Sequence, residues 1–482
     1  MDPYDTHRIV MLQTQPILGK DHRQDLGQDL GAIDPQLAWS AWEPTPEEPW
    51  DAKRVRHLMR RGGFGAKDSE VKQLLDAGPS KAIDVLMGKQ NLQATEAFEL
   101  ESGQIVSAVR SGGNVQSIAA WWLHRMLHSP SPLVEKMTLF WHGHFATGAD
   151  KVNDTELMIE QNRMLREHAL GDYRSLVHAV SKDPAMLLYL DSATNRKTHP
   201  NENYARELME LFCLGEGNYT EQDVQQLARC FTGWEIRRKS FRFNPYQHDS
   251  GFKKLFDNDK IESGEEAVEA VLTHRSMPTF IAGKLVRFFV FDEPDCPPEF
   301  LAPLADEFQK GEFAIEPLVR KILSSKLLLS DWSRGKKVRS PVEFIVESLR
   351  CLQMTTNLDR LAKGLDGVGQ ALFNPPNVKG WDGGRAWINS STLIGRSNLV
   401  VDLLREPATR FGRGSLDAWL KSEKVSNQSQ WLEWLESSLV SIPLSPSDRE
   451  LLQTSVANSD GGFDQWRKML VALSQNPKFH LS

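Results

Sequence analysis

From Asp51 onward, apolar residues recur at three- and four-residue intervals in one segment after another, and this spacing constrains the fold more than any other feature. Val55, Leu58 and Met59 stand at i, i+3 and i+4, and Gly62-Gly63-Phe64-Gly65 stops that helix. The same pattern predicts helices over 68–77, 80–87, 95–109, 118–127, 132–143, 156–169 and 173–181. Pro184 opens a short helix, Asn201 starts one through Leu214, and Thr220-Glu221-Gln222-Asp223 resembles a capping box for another reaching Phe231. Helices continue at 265–272, 279–291, 299–309, 314–326, 340–354 and 388–404, with three more between Leu416 and Leu473. Strand-type alternation occurs at 234–244, where Trp234, Ile236, Phe241 and Phe243 flank the basic turn Arg237-Arg238-Lys239. The expected fold is mainly α: a large multi-helix domain with a small β-hairpin insertion and a C-terminal helical subdomain. Residues 1–49 read as a flexible N-terminal arm that docks through Trp39, Trp42 and Trp50, 50–400 as the helical core domain, and 401–482 as the subdomain.

Composition excludes several classes. No apolar run approaches the ~20 residues that cross a bilayer. The net charge, 57 − 64 = −7, supplies no overall field for nucleic acid. Cys213, Cys230, Cys296 and Cys351 show no metal-finger or CxxC spacing, and Cys213 and Cys230 read as core fillers. No P-loop, HExxH or GxSxG is present. Met1 to Gln15 lacks a basic region followed by an apolar stretch, so the expected location is cytoplasmic.

Three segments concentrate residues capable of chemistry. On the helix at 132–143, Glu135, Thr138 and His142 form a polar stripe opposite Leu133, Met137 and Trp141. His144 follows two residues after His142, and Gly143 offers a helix exit that would swing both imidazoles toward one ion. The helix at 201–214 is apolar on two sides, which predicts a central, buried position. Its charges then need partners, and Glu202 with Arg206 forms an i, i+4 pair. Glu202 or Glu207 there would be a general base with a shifted pKa, or part of a buried network that fixes register. His248 and Asp249 lie on the loop after the hairpin, with Lys253 nearby. Asp191 and Asn195 read as loop ties, His199 as a turn residue, Trp381 and Trp387 as anchors of the 373–385 loop, and Arg334 to Arg339 as a solvated loop.

Several segments taken together resemble a known family. They include Phe140-Trp141-His142-Gly143-His144-Phe145, Asp183-Pro184-Ala185-Met186-Leu187 and Pro200-Asn201-Glu202-Asn203-Tyr204-Ala205-Arg206-Glu207-Leu208. They also include Thr232-Gly233-Trp234, His248-Asp249, Val378-Lys379-Gly380-Trp381 and Trp387-Ile388-Asn389. In this order, over about 52–480, they resemble the bacterial family called domain of unknown function 1800. The chain departs from that pattern at Gly143, where members often carry Asn. The resemblance implies a large helical bacterial protein. It also implies a protein partner from a neighbouring gene, a sulfatase-like protein with an export signal, and hence export with that partner.

Two functions follow as expectations. In the first, a divalent metal ion held by His142, His144, His248 and Asp249 assists hydrolysis of a polar or carbohydrate-like substrate. Glu202 activates water, Glu207 is the alternative base, and Arg206 orients Glu202 or stabilises negative charge. A redox metal among facing helices is a variant. In the second, the same residues are structural ties in a non-catalytic helical scaffold or assembly partner of the exported neighbour.

Overall fold

Helix starts written into the chain set the architecture. Asp51, Asp154, Asp172 and Asp183 each accept a hydrogen bond from a backbone N–H of the first turn that follows. Thr220 with Asp223 and Ser340 with Glu343 close reciprocal capping boxes. The computed structural model describes residues 30–482 apart from 113, 259, 413 and 457–462. Among them the fold is mainly α, with two small two-stranded sheets. The helices Asp68–Ala77 and Tyr173–Ser181 have the expected limits, and most others differ by a few residues at either end.

The expected hairpin forms, with a tighter turn than expected: Arg238 and Lys239 alone make it, and Arg237 joins the strand. β1 (Trp234–Arg237) pairs antiparallel with β2 (Ser240–Phe243), with Trp234 opposite Phe243 and Arg237 opposite Ser240. A helix at Leu358–Gly367 was not expected. Gly364 and Gly367 weaken it, but Asn357 caps it and Leu361, Ala362 and Leu365 are buried on one side. A Cβ at Gly364 would stand 2.4 Å from a Leu399 methyl, so glycine is what allows this close packing. The described residues of the tail form four helices rather than three, Leu416–Ser422, Gln428–Leu439, Pro446–Thr454 and Phe463–Ser474. A second sheet, β3 (Met354–Thr355) with β4 (Arg410–Phe411), was not expected either.

Two apolar clusters form the interior. One gathers Val55, Leu133, Trp141, Tyr173, Phe212, Leu285 and Ile322. The other joins Ile118 and Trp122 to Phe344, Leu403, Trp419 and Trp431. Described side chains of the tail, Trp419 and Trp431 among them, join a cluster begun more than 200 residues earlier. Residues 30–49 pack through the expected tryptophans. Trp39 donates to the Phe300 carbonyl at 2.8 Å, and Trp50 to that of Leu74 at 3.0 Å. The rest of the expected arm, 1–29, lies outside the described residues.

Buried ion pairs stitch the clusters together. Glu347 binds Arg60 at 2.5 Å and Arg339 at 2.8 Å, and Glu343 binds Lys136 at 2.5 Å. The run from Arg334 to Arg339 is thus not a solvated loop throughout, since Arg339 is buried over Phe479. Burial withdraws water from these charges, so each persists only because an opposite charge or main-chain dipole replaces it. No helix among the described residues is long and apolar enough to cross a membrane.

Candidate functional site

The helix Pro132–His144 continues through Gly143 instead of ending there. Two residues along a continuing helix turn by about 200°, and the imidazoles accordingly separate. His142 lies edge-on to Trp122 and beside Phe373 and Trp381. Its Nε2 accepts the Phe373 N–H at 3.1 Å, so its proton sits on Nδ1. His144 projects among Tyr173, Phe212 and Phe280, and its Nε2–H donates to the Phe212 carbonyl at 2.9 Å. Burial holds His142 down at about 4 and His144 at about 3, the latter helped by Lys284. Both rings are neutral and engaged by main chain.

The polar stripe beside them is buried, not solvated. Glu135 accepts from Trp122 at 3.1 Å, Arg125 at 2.8 Å and Arg166 at 2.9 Å. Thr138 donates to the Val134 carbonyl within its own helix. These contacts are structural.

The second expected segment is central, as its two apolar sides require. Tyr204, Leu208, Met209, Phe212 and Cys213 are buried, and the helix Asn203–Glu207 widens into a π-helix at Leu208–Cys213. Such widened turns often occur at functional positions. Glu202 and Arg206 sit at its rim, with about a third of each side chain exposed. They form the expected pair at 3.2 Å, but Arg206 is held mainly by both carboxylate oxygens of Glu221 at 2.7 Å. That bidentate bond raises the guanidinium pKa and lowers that of Glu221. Glu221 was missed, although it opens the helix directly after the loop. Glu202 therefore faces an arginine already engaged elsewhere.

Glu207 differs from its neighbours. It is half-buried and has no hydrogen-bond or ion-pair partner among the described residues. Burial, then the nearby Glu210 carboxylate, raises its pKa, opposed by Arg206 and Lys379. Glu210 itself accepts from the Tyr219 hydroxyl at 2.6 Å. Tyr189 also lies within electrostatic range, its phenol pKa raised by burial and by Asp150 and Glu207.

The third segment stands apart. His248 Nδ1–H donates to the Thr232 carbonyl at 2.8 Å, and its Nε2 lies 3.3 Å from that of Glu262. Asp249 accepts from Arg229 at 2.7 Å and from the Gly251 N–H at 2.8 Å, and the arginine bond lowers its pKa. Lys253 is buried and donates to the Asp249 carbonyl. The expected set His142, His144, His248 and Asp249 is not assembled. No group of three or more His, Cys, Asp or Glu placed to hold a metal ion occurs among the described residues. The physical reason is that each of these polar groups instead satisfies a buried backbone or charged partner, which would otherwise be costly to leave unpaired.

The remaining expectations concern packing. Asp191 pairs with Lys151 at 2.8 Å, and Asn195 accepts from Asn201 N–H at 3.0 Å while donating to the Ala228 carbonyl at 2.8 Å. The 373–385 loop closes over the end of the Pro132 helix: Gly380, at φ +77°, brings its Cα so near the Gly143 carbonyl that a Cβ would lie 2.1 Å from the oxygen. Trp387 is buried and Trp381 lies tilted against His142, both as anchors. Cys213, Cys230 and Cys351 are buried, and burial pushes each thiol up to about 12, out of the nucleophilic range.

A family model described as Protein of unknown function (DUF1800) matches residues 57–481. No curated protein and no solved structure matches the chain.

Proposed function

The chain belongs to the DUF1800 family, and we propose that it acts as a rigid, non-catalytic helical scaffold for a protein partner. One observation carries this reading. Apart from Glu207, every side chain expected to do chemistry is committed to a main-chain group or an ion pair, and most of these bonds join distant stretches of chain. His142, His144 and His248 each spend one ring nitrogen on the main chain, at Phe373, Phe212 and Thr232, and among the described residues they are not gathered into a group that could hold a metal ion. The sulfatase-like, exported product of a neighbouring gene is the partner this reading names.

A second reading is favoured by Glu207 alone. A half-buried carboxyl of raised pKa and no partner suits a general acid or base. Hydrolysis of a polar or carbohydrate-like substrate would then use Glu207 rather than a metal-bound water.

Metal titration and turnover separate the readings. Calorimetric titration of wild type with zinc, manganese and magnesium, alongside His142→Gln and His144→Gln, is expected to detect no stoichiometric site. Assays on ester, phosphate, amide and glycoside chromogenic substrates are expected to give no turnover that Glu207→Gln removes. Complex formation with the purified sulfatase-like neighbour, followed by size-exclusion chromatography, is the expected positive result. Metal binding lost in the histidine variants, or turnover lost in Glu207→Gln, overturns the scaffold reading.

A further inference from the structure

Every exposed phenylalanine, tyrosine or tryptophan among the described residues falls within one ten-residue stretch. Phe243 is 45%, Tyr246 83% and Phe252 68% exposed. Scattered apolar residues on a surface need no explanation, but three exposed aromatic residues within one short stretch of chain do. The stretch begins at β2, and β2 is the outer strand of its sheet. β1 is covered on its other side by the segment Ser192–Thr194 and by the Gly233 N–H bond to the Asn195 carbonyl, while β2 packs extensively on β1 alone. With Arg237 opposite Ser240 across a two-residue turn, antiparallel alternation aims the backbone N–H and C=O of Phe241 and Phe243 away from β1.

The turn is held rigidly. Arg238 and Lys239 both have positive φ, +53° and +62°, a conformation that costs energy for residues with a Cβ. Lys239 anchors it through Asp154 at 2.7 Å and Glu156 at 3.0 Å. The two adjacent cations, Arg237 and Arg238, are exposed and make no ion pair among the described residues, and Arg242 shares Glu235 with Arg196. One short strand edge thus runs from unpaired positive charge at the turn to the exposed Phe243 at its far end, with exposed Tyr246 and Phe252 following in the chain.

We propose that this edge docks an extended acidic segment of a protein partner by strand addition. The open strand supplies main-chain hydrogen bonds, the aromatic side chains supply apolar anchorage, and the arginines select negative charge. Aromatic and basic residues together also suit single-stranded nucleic acid, but a nucleic acid has no use for a free strand edge. The inference rests on the scaffold reading and names the surface that reading requires.

The test is fluorescence anisotropy with a labelled peptide of alternating glutamate and valine. Controls are the lysine–valine counterpart, a glutamate peptide with proline at every second position, and oligothymidylate. The acidic peptide is expected to bind at least about tenfold more tightly than each control, a difference of about 1.4 kcal/mol. Phe243→Ser/Tyr246→Ser/Phe252→Ser and, separately, Arg237→Glu/Arg238→Glu are each expected to weaken it about tenfold or more, with circular dichroism unchanged. Absence of binding, equal binding of the lysine peptide, or unchanged affinity in the charge-reversed variant overturns the proposal. Equal binding of the proline peptide overturns strand addition, and preference for oligothymidylate reassigns the surface to nucleic acid. None of these outcomes depends on the metal and turnover assays, so the two readings fail separately.

Discussion

His142 and His144, two residues apart on one helix, hold opposite tautomers. His142 accepts the Phe373 N–H through Nε2, whereas His144 donates through Nε2 to the Phe212 carbonyl. The two rings belong to different sides of the helix and tie it to different parts of the chain, the 373–385 loop and the π-helix at Leu208–Cys213. The His142 tie needs a neutral ring, because an imidazolium has no acceptor nitrogen; the His144 bond survives protonation, and burial with Lys284 nearby is what disfavours a charge there.

Acid therefore weakens the fold through these two residues. Their pKa falls from the ordinary 6.5 to about 4 and about 3 on folding. A depressed folded value means the unfolded chain binds protons first, so stability is intact above pH 6.5 and declines as pH falls toward the folded values. Between pH 7 and pH 5 each histidine should cost about 2 kcal/mol. Denaturant titrations at those pH values should show the loss, and it should be smaller in His142→Gln.

Glu347 lies buried between Arg60 and Arg339. Glu347→Gln keeps the size and removes the charge, leaving two guanidinium groups uncompensated. The expected destabilisation is about 3–5 kcal/mol, read as a drop in urea midpoint. Arg206→Ala, which breaks a rim pair with the exposed Glu221, should move the urea midpoint far less, and less still in high salt.

Two glycines that touch should respond with opposite sign. A Cβ at Gly143 meets only Trp381 at 3.8 Å, an ordinary contact, so Gly143→Ala should stabilise the helix by about 0.5–1 kcal/mol. Gly380→Ala drives a Cβ against the Gly143 carbonyl at positive φ and should lower the melting temperature sharply. Thermal melts of the two variants check both signs.

Glu207 has its pKa raised in the fold, so its ionised form is the unfavourable one. A raised carboxyl makes the folded chain bind the proton more readily, and stability falls as pH rises through the folded value. Glu207→Gln should therefore raise the melting temperature at pH 7 and leave it unchanged at pH 4. An unchanged melting temperature at both values would place Glu207 in ordinary solvent.

The element pattern was readable because local periodicity and caps carry it. Asp172 caps Tyr173–Ser181, and Arg238-Lys239 turns the hairpin, using only neighbouring residues. The helix at Leu358–Gly367 was hidden because its glycines signal a break, while the Leu399 contact that explains Gly364 comes from far along the chain. The buried pairs of Glu343 and Glu347 had a local trace: two acids four apart on a mostly apolar helix, Pro341–Cys351. Their partners Lys136, Arg60 and Arg339 had none.

The residues alone were enough for the helical class, the presence of the hairpin, the Glu202–Arg206 pair and the family to which the chain belongs. Those features depend on neighbours a few positions away or on linear motifs. The use made of each polar side chain depended on three-dimensional packing. Whether His142 met an ion or a backbone amide turned on where residue 373 returned, and whether Arg206 served Glu202 or Glu221 turned on how two helices crossed. A buried polar atom bonds to whatever the packing of distant segments brings within about 3 Å, and sequence spacing carries no record of that distance.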